Sequence, residues 1–100
     1  MHARVNTLQM DPQRIDDALR QLEEQDIPGF REIDGFRGFT VLADRSSGKV
    51  IATSYWDSEE QMRGSEDAVK EARKRAADTG GASAEPQVER YEVAIDTFER

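Results

Sequence analysis

A chain of 100 residues, 36% hydrophobic and 35% charged, has the size of one domain spanning residues 1–100, is too apolar to stay unfolded throughout and too polar to hold a membrane span. With 21 acidic and 14 basic side chains it carries a formal charge of −7, which repels phosphate backbones, so neither nucleic acid nor a membrane is expected as a partner. It has no cysteine and a single histidine, His2, so disulfides, thiolate catalysis and a His-rich metal centre lack the residues to build them, and no metal or cofactor is expected. The first ten residues hold no apolar run of signal-peptide length, and a cytoplasmic protein is expected.

Residues 2–10 read as a first strand, with β-branched side chains and no breaker. Asp11-Pro12 then opens a helix: Asp11 suits the N-cap, and Pro12 suits the first helical position, where its missing N–H would have had no partner. Ile15, Ala18, Leu19 and Leu22 follow at helical spacing and form one apolar stripe. Ile27-Pro28-Gly29 is expected to interrupt that helix, with one more turn over 30–33 before Asp34-Gly35 reverses the chain. Residues 36–43 and 49–56 read as the two strands of a hairpin around Ser46-Ser47-Gly48. Ser58-Glu59-Glu60-Gln61 has the form of a capping box, so a second helix is predicted from residue 59 to Thr79-Gly80-Gly81, with Met62, Ser65, Val69, Ala72 and Ala76 on its inner face. A last strand is predicted over 88–98, where Tyr91, Val93 and Ile95 alternate with Glu92 and Ala94.

The order βαββαβ with right-handed crossovers puts both helices on one face of an antiparallel sheet. The hairpin strands are apolar on both faces: Phe39 and Val41 oppose Leu42, and Val50 and Trp56 oppose Ile51 and Tyr55. Two helices cover only one of these, and an open apolar face of that extent is rare on a monomer, so a homodimer with sheets opposed is expected.

Gly35-Phe36-Arg37-Gly38-Phe39, Asp44-Arg45 with Gly48, Tyr55-Trp56-Asp57-Ser58-Glu59-Glu60 and Tyr91-Glu92-Val93 resemble the antibiotic biosynthesis monooxygenase family. The resemblance implies an α+β, ferredoxin-like fold of the dimeric α+β barrel type. It also implies a cofactor-independent monooxygenase acting on a small aromatic or polyketide-like substrate. Haem-degrading members of the superfamily use a first-strand asparagine, a tryptophan and an axial histidine. Asn6 matches the first, whereas Ser65 and Arg73 fall near the other two, so the iron ligand is missing and the haem-degrading reading is disfavoured. Quinone-forming members use an asparagine, a tryptophan and a tyrosine; Trp56 matches, while Ala52 and Met62 stand at the other two positions. An uncharacterised group is more similar still, through Asp44-Arg45, Trp56-Asp57-Ser58-Glu59-Glu60, Met62, Ser65 and Arg73.

Three residues are candidates for chemistry. Asn6 has an amide able to orient a phenolic or enolate oxygen, Trp56 a broad face and an N–H donor for an aromatic ligand, and Arg73 a guanidinium for a carboxylate or a developing oxyanion. Each also has a structural role open to it: a backbone-bonded strand residue, a core anchor and a helix-surface ion pair. Phe39, Tyr55, Met62, Ser65 and Tyr91 complete the candidate ligand lining. Two functions compete. One is the cofactor-independent oxygenase, for which a dry pocket and a hydrogen bond to the substrate anion suffice. The other is a non-catalytic dimeric protein that holds a small aromatic ligand or serves as an accessory to another enzyme.

Overall fold

The computed structural model describes residues 1–98, so the last two residues of the expected 1–100 domain lie outside the described residues. Strand β1 (His2–Gln9) leads into a 3-10 turn (Pro12–Arg14), helix α1 (Ile15–Gln21), a π turn (Leu22–Asp26) and helix α2 (Ile27–Phe30). The hairpin β2 (Phe36–Asp44) and β3 (Lys49–Trp56) follows, then helices α3 (Glu59–Gly64) and α4 (Glu66–Thr79), and strand β4 (Gln87–Glu92). The strands lie in the order β2-β3-β1-β4 with every neighbouring pair antiparallel, the ferredoxin-like arrangement.

Local chemistry sets the element ends. The Asp11 carboxylate accepts from the Gln13 N–H at 3.0 Å, and Ser58 accepts from the Gln61 N–H at 3.1 Å while donating to the Gln61 side-chain oxygen at 3.2 Å. The hairpin turns on Gly48, whose φ of 84° is open to glycine at little cost. The Met10 N–H bonds the Gly48 carbonyl at 2.8 Å, and a side chain at Gly48 would run into the Met10 carbonyl.

Three elements differ from expectation. Ile27-Pro28-Gly29 continues the helical path, because the chain widens into the π turn just before it and the Ile27 N–H reaches back to the Leu22 carbonyl. That widening relieves the clash a proline ring makes with the turn before it. The second helix is split at Ser65, whose hydroxyl donates back to the Met62 carbonyl at 2.6 Å. The last strand stops at Glu92; beyond it the Val93 N–H bonds the Met1 carbonyl, and among the described residues β1 reaches no further along it.

Alternation along β1 and β3 sends Arg4, Asn6, Leu8, Val50, Ser54 and Trp56 toward the helices. Two apolar clusters fill that layer. Leu22, Phe30, Trp56, Met62, Val69 and Ala72 make one, and Leu8, Met10, Ile15, Ala18 and Val50 the other, with Val41 bordering both. The opposite sheet face carries Leu42, which is 63% exposed, with half-buried Val5, Ile51 and Tyr55. The Tyr55 ring meets Phe98 edge-on at 5.2 Å.

Candidate functional site

Between the two apolar clusters, the sheet and the helices leave a cavity of about 30 Å³ lined by Asn6, Leu8, Leu22, Phe30, Phe39, Ala52, Val69, Ala72, Arg73 and Ala76. Its walls are apolar except at one corner. There Asn6, buried in β1, donates from its amide nitrogen to the Ala52 carbonyl at 3.0 Å. Its amide oxygen accepts from Arg73 Nη1 at 2.9 Å. The strand carbonyl thus fixes which way the amide points, and the amide fixes the guanidinium.

Arg73 is half-buried and forms no ion pair among the described residues. Desolvation, opposed by the charge of Glu66 and assisted by that of Arg90, holds its pKa below the usual arginine value. A guanidinium backed by a neutral amide and facing an apolar cavity is a ready counter-charge for an anion.

A second cationic group lies deeper. Arg4 is fully buried, and its guanidinium donates to the Met62 carbonyl at 2.5 Å, Ser65 Oγ at 3.2 Å and Glu66 at 2.8 Å, although its Nε has no partner. Glu66 also pairs with Arg90 at 2.7 Å. Desolvation works against the Glu66 carboxylate, but hydrogen bonds and charge from Arg90 and Arg4 outweigh it and keep its pKa below the usual carboxylate range. Burial also lowers the Arg4 pKa, against the pull of Glu66. Sequence reading passed over Arg4. Strand parity was the available signal, since an inward Asn6 in an unbroken strand requires an inward Arg4.

The structure therefore brings together Asn6, Arg73 and Phe39 and places the other candidates elsewhere. Trp56 is fully buried in the core. Its indole N–H donates to Ser54 Oγ at 2.9 Å, and its ring lies edge-on to Phe36 at 5.4 Å. Met62 and Ser65 are buried at the joint of α3 and α4 around Arg4. Tyr55 belongs to the opposite sheet face. Tyr91 is 53% exposed there, and its hydroxyl donates to Glu89 at 2.6 Å. His2 is the first residue of β1, as the strand expected over 2–10 implies, and its ring nitrogen Nδ1 is buried. It lies four residues from Asn6, about 13 Å along the strand. No group of three or more histidine, aspartate or glutamate side chains among the described residues is placed to hold a metal ion. No described helix is long and apolar enough to cross a membrane.

The sequence model of one family, antibiotic biosynthesis monooxygenase, matches residues 1–75, a span that contains both Asn6 and Arg73. The chain belongs to this family. Among curated relatives, the uncharacterised Rv2558 of Mycobacterium tuberculosis (strain ATCC 25618 / H37Rv) is 37% identical over 95 residues, covering 95% of this chain and 39% of its own length. Rv2557 of the same strain is 35% identical over 94 residues, covering 94% of this chain and 41% of its own. The chain thus spans about two fifths of these relatives. Among solved structures, the monooxygenase from the ActVA-Orf6 gene of Streptomyces coelicolor, in complex with nanaomycin D, superposes with a TM-score of 0.79 at 19% identity. That match covers 99% of this chain and 92% of the monooxygenase. The haem degrader MhuD of Mycobacterium tuberculosis gives 0.75 at 15%, covering 98% and 100%. SnoaB, a cofactor-independent oxygenase from Streptomyces nogalater, gives 0.65 at 16%, covering 98% and 97%. At these identities the superpositions establish the antibiotic biosynthesis monooxygenase fold, and activity has to be argued from the site.

Proposed function

We propose that the chain is a cofactor-independent monooxygenase acting on a small aromatic or polyketide-like substrate, with Asn6 and Arg73 as the groups that hold the substrate anion. The Asn6–Arg73 pair at the one polar corner of an otherwise apolar cavity carries this reading. A deprotonated phenol or enol can pass an electron to oxygen unaided, so the protein's part is to bind the anion, keep water away and hold the two reactants together. The cavity lining includes no carboxylate or imidazole, so the reading favours substrates that ionise near neutral pH. Ligand pockets run to roughly 300–1,000 Å³. Binding therefore requires Leu22, Phe30 or Phe39 to move aside, and Leu22 begins the π turn, a backbone form often found at functional sites.

The test is oxygen uptake with a panel of hydroxylated anthrones and naphthols, followed from neutral to mildly alkaline pH so that their anions are supplied by the medium. Asn6→Ala and Arg73→Gln should each lower the rate by about 10²-fold or more, as loss of an oxyanion donor does elsewhere, with circular dichroism unchanged. Unaltered rates in both variants would remove these residues from the mechanism. Binding without oxygen uptake would favour the second reading, a non-catalytic ligand-binding or accessory protein. One observation supports that alternative: the Trp56 N–H is taken by Ser54, so this tryptophan is not free for a ligand. The haem-degrading reading lacks support at the site, since the helix position facing Asn6 is Arg73 rather than an imidazole.

We further propose that two copies associate through the open sheet face, where Leu42, Ile51 and Tyr55 would otherwise face water. Light scattering over a dilution series should give the mass of a dimer, and Leu42→Lys should shift it toward the monomer. A monomeric mass for the parent protein at tens of micromolar would overturn this.

A further inference from the structure

The register of β2 on β3 slips between Phe36 and Gly38, and such a bulge bends an edge strand and re-aims its side chains. Beside it, facing α2, is a cleft of about 570 Å³ lined by Ile27, Arg31, Phe36, Arg37, Gly38 and Phe39, within the size range of small-ligand sites. It differs in character from the rest of the surface. The chain carries a net −7, yet this lining holds two arginines and no acid. Arg31 is exposed and has no carboxylate partner among the described residues. Arg37 shares its charge with Asp57, Nε to Oδ1 at 3.3 Å. The apolar side belongs to an aromatic group in which Phe30 lies 6.3 Å from Phe36 and 5.7 Å from Phe39, ring centre to ring centre.

We propose that this cleft binds small aromatic carboxylates, with Arg31 and Arg37 taking the carboxylate and Phe36 and Phe39 the ring. Phe39 also lines the Asn6–Arg73 cavity, so the cleft and the cavity share this residue as a wall, and we take movement of its ring as the way one would open to the other. As an access route to that cavity the proposal rests on the oxygenase reading; as a binding site it does not. A groove of about 720 Å³ on the other side of the cavity, between α4 and the loop to β4, fits such a ligand less well. Its lining balances Lys70, Arg73 and Lys74 against Glu71, Asp78 and Glu85, it has no aromatic ring, and the wall it shares with the cavity is Arg73, already bonded to Asn6.

The experiment is a titration of the ¹⁵N-labelled chain with 2-naphthoate, using methyl 2-naphthoate as the neutral control. Saturable shifts at the Arg31, Arg37 and Gly38 amides are expected, with the acid binding at least ten-fold more tightly than the ester. The Arg31→Gln/Arg37→Gln double variant should weaken the acid at least ten-fold and leave the ester unchanged. Arg31→Gln alone, which breaks no ion pair, repeats the test with a smaller loss should the double variant fold poorly. Equal affinity for acid and ester, or shifts centred on Ala77 and Ala82 in the opposite groove, would overturn the site. Asn6→Ala separates the two proposals. If it leaves naphthoate binding intact but abolishes oxygen uptake, both stand. If uptake is absent or indifferent to Asn6 while binding persists, only the cleft stands.

Discussion

Replacing Arg4 by Ala should cost about 3–5 kcal/mol, the range for breaking a buried ion pair by removing one partner. The arginine is fully buried, and its loss would empty a large space, take the strongest donor from the Met62 carbonyl and the Ser65 hydroxyl, which would be left with each other, and remove one of the two cations paired with Glu66. A small domain holds only about 5–15 kcal/mol in total, so urea denaturation should show a large fall in midpoint. Arg4→Lys should rescue little, because one ammonium cannot span three acceptors set around a planar fork. Arg90→Gln should cost under about 1 kcal/mol, since that end of the network is solvated. The same network predicts an acid response. Glu66 has a folded pKa below its unfolded one. Its contribution is therefore complete above the unfolded carboxylate value and is lost as pH falls through the folded one. Glu66→Gln should flatten the fall in stability on that acid side and leave its slope near neutrality unchanged.

Trp56→Ala should be of similar size, about 3–5 kcal/mol, the usual cost of emptying a large aromatic site. The indole is fully buried among Leu22, Phe30, Met62, Val69 and Ala72, so the walls left behind belong to four different elements and cannot all close in. Trp56→Phe should cost less, about 1–3 kcal/mol, chiefly from the Ser54 hydroxyl left without its donor. Circular dichroism in urea is the suitable readout, since both variants lack the only tryptophan. A loss below 1 kcal/mol for Trp56→Ala would mean that the site is not packed as described. The burial also means that Trp56 fluorescence follows the core, and that a ligand in the Asn6–Arg73 cavity would act on it across intervening side chains.

The parts of the fold written in short-range chemistry were legible. Asp11-Pro12, Ser58 with Gln61, and Gly48 are local signals with local consequences, and the second hairpin strand, Lys49–Trp56, begins and ends where its pattern does. What escaped depends on the third dimension. A proline and glycine pair reads as a helix break unless the preceding turn is known to widen. The alternation over Tyr91, Val93 and Ile95 continues past Glu92, the last described residue of β4 with a partner on β1. At the site, Asn6 and Arg73 are 67 residues apart and meet. Trp56, by contrast, was a candidate for a ligand with a core anchor as its other role, and it packs in the core. Residue type suggested what each side chain can do, and only packing separated the amide that meets a cavity from the indole that meets other rings.

The strand order bears on how the chain assembles during synthesis. β2 and β3 are consecutive and can pair as soon as both exist, and β1 then joins along β3. Among the described residues β4 pairs only with β1, with His2 opposite Glu92, so one edge of β1 must wait for β4. Until then that edge offers unpaired backbone groups to any other extended chain. Closing so long a loop is entropically slow. The interval between emergence of the hairpin and docking of β4 is therefore when a nascent chain is most exposed to pairing with the wrong strand.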